Sequence, residues 1–248
     1  MRYFILSDIH SNIEALEACG QRAKDAGYDA VLCCGDIVGY GPNPVEAIDG
    51  IRALNAVTIR GNHDRVAAGL DQAEQFHPNA RHAIYWTRAM LPDGYREYLV
   101  ALPQGPLEIN EHAQLVHGAI THEDDYIFTE ADADENFLLT GKPITFFGHS
   151  HFPVVFTADS EGNSTLASSY EFDEFVSVKC NPDKRMFVNP GSVGQPRDGD
   201  PRASFAIWDQ DHGRMEFYRV EYDIRLTQKK MREAQLPGYL IERLAHGR

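Results

Sequence analysis

The chain has 248 residues, 43% of them hydrophobic and 24% charged, a globular mix that excludes a fibrous or disordered protein. Its 37 acidic against 23 basic side chains give a net charge of −14, which argues against a protein built to grip nucleic acid. No apolar run approaches the ~18 residues of a membrane span, the opening MRYFILSDIH breaks at Asp8 too early for a secretory signal, and four cysteines without a C-x-x-C pair fit a reducing cytoplasm.

In chain order, the apolar run Tyr3–Ser7 predicts a buried strand that ends in a loop at Asp8. Asn12 caps a helix reaching Gly27, with Ile13, Leu16 and Cys19 at helical spacing. A second strand at Ala30–Cys34 ends at Gly35-Asp36, a helix follows over Pro44–Leu54, and a third strand at Ala56–Ile59 runs into Gly61-Asn62-His63-Asp64. Such alternation predicts a parallel α/β sheet. Helices are expected at Asn79–Leu91 and Asp93–Leu102.

The second half is β-rich. Short strands are predicted at Pro106–Asn110, Gln114–Val116, Ile144–Phe147, Val154–Thr157, Met186–Val188, Ala203–Trp208 and Met215–Val220, with one helix around Ala131–Leu139. With no repeat and no long linker, residues 1–248 are expected to form a single α/β domain, a four-layer αββα sandwich. After Asp223 the balance turns basic, with Arg225, Lys229, Lys230, Arg232, Arg243 and Arg248 against Glu233 and Glu242. Residues 223–248 therefore read as a basic helical tail, either a solvated face or a docking surface for another subunit.

Metal-ligand residue types recur where the strands end: Asp8 and His10, Asp36, Asn62 to Asp64, His117, and His149 with His151. Open α/β sheets bind ligands at the carboxyl ends of their strands, so these distant residues can converge. Asp-x-His and His-x-His put two side chains on one side of an extended segment. Each fragment is weak alone, but all of them in this order outweigh a reading as ordinary core polar residues.

On these residues the chain resembles the calcineurin-like metallophosphoesterases, whose pattern is D-x-H…G-D…G-N-H-[DE]…H…G-H-x-H. Every block is present between residues 8 and 151, and Asn189-Pro190-Gly191-Ser192 is similar to the bacterial and archaeal phosphodiesterase-like branch. The resemblance implies one metal on Asp8, His10, Asp36 and His151, and another on Asp36, Asn62, His117 and His149. It implies that His63 stabilises the phosphoryl oxygens or protonates the leaving alkoxide, and that a metal-bridging hydroxide attacks. Asp64 could then orient the His63 ring by a hydrogen bond. Independently, a mixed nitrogen and oxygen donor set suits manganese, iron, zinc, nickel or cobalt and is too rich in imidazole for calcium or magnesium; two divalent transition-metal ions are expected, manganese foremost among them.

Other residues invite over-reading. Cys33 and Cys34 belong to a strand and are expected in the core. Tyr85 and Trp86 are expected to pack their helix; His77, His82, His112, His122, His212 and His246 read as surface or cap residues, with a place bordering the pocket as the alternative for His82. The seven carboxylates within Glu123–Glu135 read as a solvated loop and helix, with a supplementary metal site as the rival. Arg197 either contacts phosphate bidentately or pairs with Asp198 or Asp200. The expected activity is hydrolysis of a small phosphodiester; the alternatives are a phosphomonoesterase and, further off, a non-catalytic metal-binding scaffold or sensor. The partners expected are that small substrate, no membrane and no nucleic acid, with room for a homo-oligomer.

Overall fold

The computed structural model describes residues 1–159, 164–169 and 172–248. Two six-stranded sheets face each other. The first has the order β3 (Val57–Thr58), β2 (Ala30–Cys33), β1 (Arg2–Leu6), β11 (Ala203–Asp209), β12 (Arg214–Val220) and β9 (Phe175–Lys179). The second has the order β4 (Leu107–Glu108), β5 (Ala113–Leu115), β6 (Ile144–Phe146), β10 (Arg185–Pro190), β7 (Pro153–Ala158) and β8 (Ser164–Ser169). In the first sheet β1, β2 and β3 run parallel; in the second β5, β6 and β10 do. This is the α/β sandwich the alternation predicts.

Strand β1 shows why the layers form. Phe4 and Leu6 join an apolar cluster with α1 (Ile13–Ala26), α2 (Pro44–Ala53) and the helices that follow, while Tyr3 and Ile5 meet Leu115, Phe146 and Val188 of the second sheet. A strand covered on both faces must be apolar throughout, and this one is. Beyond the second sheet, α6 (Glu130–Phe137) sets Phe137 edge-on to Phe187 at 4.7 Å between ring centroids. The chain between β3 and β4 forms α3 (Asn62–Ala67), α4 (Pro78–Met90) and α5 (Asp93–Ala101).

Several local expectations are corrected. The strand expected at Pro106–Asn110 shrinks to Leu107–Glu108. Residues 62–67, for which no element is predicted, form α3, because the Asp64 carboxylate accepts from the Gly61 amide and caps that turn. Strand β9 was not foreseen: on an edge, its apolar signal is reduced to the half-buried Val176 and Val178. The basic tail forms α7 (Ile224–Glu233) and α8 (Gly238–Arg243) and packs on its own chain. Lys230 pairs with Glu14, Thr227 Oγ1 donates to Glu14 Oε2 at 2.9 Å, and Met231 and Leu240 bury against Ala80 and Ala83 of α4. Among the described residues no helix is long and apolar enough to cross a membrane.

Candidate metal centre

The parallel strands deliver the expected residues to one edge. Asp8 and His10 follow β1, Asp36 follows β2, His117 follows β5, and His149 and His151 follow β6, while Asn62 opens α3 just beyond β3. Backbone bonds stitch these loops together: Asp8 N donates to Gly35 O, His10 N to Asp36 O, Gly148 N to His117 O and Gly194 N to Asp8 O, at 2.7–3.0 Å. Asn189 Nδ2 donates to Gly148 O and Ser150 Oγ, bracing the His149–His151 turn. Asp8, His10, Asp36, His149 and His151 all hold positive φ, between 48° and 65°. A non-glycine residue there costs on the order of 1–3 kcal/mol and persists where its surroundings over-determine it. Gly61 admits Asp36 closely, since a Cβ on Gly61 would collide with Asp36 Oδ1.

The side chains form two adjoining groups, Asp8–His10–His151 and Asp36–His117–His149, with ligand atoms within 4.8 Å of one another in each. Asp36 Oδ2 lies 3.6 Å from His10 Nε2 and 3.5 Å from His117 Nε2, between the groups. His63 also stands within reach of His10 and Asp36. The far nitrogen of each expected histidine ligand faces a backbone carbonyl: His10 Nδ1 on Val38 O, His117 Nδ1 on Cys34 O, His151 Nδ1 on Gln195 O and His149 Nε2 on Asp124 O. A carbonyl only accepts, so each of these nitrogens carries a proton; in His10, His149 and His151, which burial keeps neutral, the other nitrogen turns a lone pair inward, while the inner nitrogen of His117 does so once its second proton is lost. Asn62 Oδ1 lies 3.1 Å from His117 Nε2, aimed at the same place.

This donor set fits cations. His10 Nε2 and His151 Nε2 stand 3.1 Å apart with lone pairs facing, and Asp8 Oδ2 is buried without a hydrogen-bond partner. Burial drives both rings well below the usual imidazole range, so a proton does not relieve the contact. A positive ion between them does. Burial likewise raises Asp8 to about 7, and it opposes charge on His117, where the neighbouring Asp36 carboxylate nevertheless prevails and lifts the ring to about 10.

Asp64 does not orient the His63 ring. Its carboxylate accepts from Val38 N at 3.1 Å and Gly61 N at 3.0 Å, tying two loops together, while His63 Nδ1 lies buried against Gly39 with no hydrogen-bond partner. Packing holds the ring instead, with His10, Tyr40 and Phe76 around it at 4.5–4.8 Å between centroids. Burial, above all, lowers His63 to about 4.

A cleft of about 390 Å³ opens on the centre, lined by Asp36, Asn62, His63, His149, His151 and Arg197. Arg197 pairs with neither candidate aspartate, because Arg219 from β12 takes Asp198 and Arg202 takes Asp200. Its Nη2 instead donates to Tyr40 Oη at 3.4 Å and Gln195 Oε1 at 3.3 Å, and its Nε is buried without a partner.

The cleft also holds residues that sequence reading missed: Tyr40, Tyr126, Asp124, Phe76, Tyr239 and Arg243. Tyr126 stacks on His149 at 4.0 Å. The acidic stretch is only partly solvated, since Glu123 is buried against Arg60 and Arg65, and Asp124 pairs with Arg65 at 2.7 Å. Glycine-flanked motifs gave no signal for these partners. His82 is exposed and outside the cleft, where His77 stands instead; Trp86 packs against the C-terminal helices. Cys33 and Cys34 are core residues, buried on opposite faces of their strand.

Fold and donor set together define a metal-binding α/β sandwich of the phosphoesterase kind. The chain belongs to the calcineurin-like phosphoesterase superfamily, whose domain profile matches residues 1–213, and with that family comes metal-dependent phosphoester hydrolysis. It is 37% identical over 251 residues to an uncharacterized protein of Methanocaldococcus jannaschii, covering 98% of this chain and 97% of that one. The crystal structure of a metallophosphoesterase from Sphaerobacter thermophilus matches with 40% identity and a TM-score of 0.84, over 100% of this chain and 99% of that one. A hypothetical protein from Pyrococcus horikoshii has the same fold, with a TM-score of 0.80 at 22% identity over 100% of this chain and 98% of that one.

Proposed function

We propose that the chain is a dinuclear metal-dependent phosphoesterase acting on a small phosphodiester. The observation that carries this reading is Asp36 Oδ2 standing between His10 Nε2 and His117 Nε2, at 3.6 and 3.5 Å. One carboxylate oxygen can thus serve two cations. Asp8, His10, Asp36 and His151 would hold one, and Asp36, Asn62, His117 and His149 the other, with manganese the ion we favour. Such a pair supplies an acidified water nucleophile and neutralises phosphate charge. Arg197, anchored by uncharged oxygens, keeps its full charge for the phosphate. His63, neutral near pH 7, donates a hydrogen bond from Nε2 to a phosphoryl oxygen, and Asp64 holds the loops that place it. A phosphomonoester is the second reading, favoured by Arg197, whose guanidinium suits the extra charge of a monoester.

Exhaustive chelation is expected to abolish hydrolysis of aryl phosphodiesters, and added Mn²⁺ to restore it, because the nucleophile depends on bound metal. Full turnover in excess chelator, with metal-free protein verified by elemental analysis, would sink the proposal.

Metal loading should also release protons. In the metal-free site His117 is raised to about 10 and Asp8 to about 7, so a cation displaces the His117 proton at neutral pH and an Asp8 proton increasingly below pH 7. Apparent affinity is then expected to weaken as pH falls, by up to about tenfold per unit for each proton displaced. Calorimetry in buffers of different ionisation heat measures this release directly; an affinity that does not vary between pH 6 and 8 contradicts it.

A further inference from the structure

The His63 ring lacks the hydrogen bond that usually fixes a working imidazole. Its Nδ1 is buried against Gly39 without a partner, so the packing of neighbouring rings sets the direction of Nε2. Two of those rings, Tyr40 and Phe76, stand 4.5 and 4.7 Å from His63 between centroids. Both belong to an apolar cluster that the C-terminal tail completes, with Met231 of α7, Leu236 between the helices, and Leu240 and Ile241 of α8. Met231 and Leu244 also share a void of only about 10 Å³ with Tyr40 and His10, so little room remains for those rings to shift. Tyr40 sits at a φ of 54°, a conformation that a non-glycine residue keeps only where its surroundings enforce it.

The tail is itself firmly docked. Beside its bond to Glu14, Thr227 Oγ1 lies 3.2 Å from Asn12 Oδ1, and Asn12 Nδ2 donates to Gly194 O at 2.9 Å, which joins α7 to the loops after β1 and β10. Lys230 pairs with Glu14, and Gln228 Nε2 donates to Ile241 O at 2.7 Å, tying α7 to α8. Every tail residue in these contacts lies beyond residue 213, where the match to the family's domain profile ends.

We infer that the C-terminal tail is a positioning element of the reaction: through Met231 and the cluster around it, α7 and α8 hold Tyr40 and Phe76 against His63 and so aim its Nε2 at the phosphoryl oxygen. Met231 and Phe76 are positioning residues, and neither is a metal ligand. The inference rests on the hydrolase reading above for what His63 does, and it gives the tail a function: the orienting partner of His63 is apolar packing supplied from outside the matched domain.

The test is a double-mutant cycle on Mn²⁺-loaded full-length protein with an aryl phosphodiester. Met231→Ala is expected to lower kcat by about tenfold to hundredfold, the scale on which an ångström of misplacement acts, with KM and metal content nearly unchanged. In a His63→Ala background the same substitution should change kcat by less than about twofold, because the group it positions is gone. Phe76→Leu, a milder change that keeps an apolar side chain, should follow the same pattern. Met215→Ala removes an equally buried methionine from between the two sheets and should leave kcat near wild type, with circular dichroism checking that each variant is folded. Equal losses with and without His63, or a loss in Met215→Ala matching that in Met231→Ala, overturn the inference. An independent readout needs no turnover. In full-length protein loaded with diamagnetic Zn²⁺, the ring-proton resonance of His63, assigned by its absence in His63→Ala, should move in Met231→Ala and hold in Met215→Ala. Met231 carries no ring, so the resonance moves through the surrounding cage; a resonance that stays put overturns the inference as well. Failure to hydrolyse any ester would sink the hydrolase reading while leaving this resonance to be measured.

Discussion

Asp36→Ala is expected to strip the protein of metal and turnover together. Asp36 Oδ2 is the oxygen common to both ligand groups, and Asp36 Oδ1 accepts from the His63 amide at 2.9 Å at the start of α3. One substitution therefore removes the shared donor and loosens the turn that carries Asn62 and His63. The loss in kcat should exceed the roughly 10²–10³-fold that follows removal of a single stabilising donor. Elemental analysis of the purified variant, beside wild type and with circular dichroism as the check on folding, reads the result. A folded Asp36→Ala protein that retains both cations would end the assignment of Asp36 as the shared ligand.

His63→Ala is expected to behave differently. With its pKa lowered to about 4, chiefly by burial, the ring is neutral at working pH and enters the reaction as a hydrogen-bond donor rather than as a full acid. The variant should keep its metals while kcat falls by about 10²–10³-fold. Because the lost interaction is with a phosphoryl oxygen, the fall should be similar for nitrophenolate and alkoxide leaving groups. Wild type should show no His63 titration between pH 6 and 8: its charged form appears only as pH drops toward 4. A much larger loss for the alkyl ester would instead assign His63 to proton donation. Loss of a metal from the variant would make His63 a ligand, as its approach to His10 and Asp36 also permits.

Much of the site could be read from sequence for a physical reason. The ligand blocks sit immediately after apolar runs, and a residue that follows a parallel strand by one to four positions has nowhere to go but the carboxyl edge of the sheet. Asp8, Asp36, His117 and His149 were thus placed by chain connectivity alone, and the glycines beside them marked the tight turns. The buried strands were legible for the same reason, being apolar on both faces, as Tyr3–Leu6 is. Edge strand β9 was not, because an edge needs only a few apolar residues and its pairing with β12 is a long-range event.

What tertiary structure decided was the choice among partners. Asp64 had the His63 ring as its sequence neighbour, but the folded chain presents it with the Val38 and Gly61 amides, and buried N–H groups take precedence because leaving them unpaired is costly. Arg197 had Asp198 and Asp200 beside it, yet both are claimed by arginines, Arg219 arriving from β12 and Arg202 from the adjoining turn, so Arg197 turns to the cleft. The tail could be recognised as basic and helical, but its docking on α1 and α4, and with it the arrival of Arg243 at the site, depends on Lys230 meeting Glu14 and Met231 meeting Ala83 across more than a hundred residues. Sequence position dictates which side chains reach the sheet edge; which of them are left free to meet a substrate is set by hydrogen-bond and charge partners that only folding brings together.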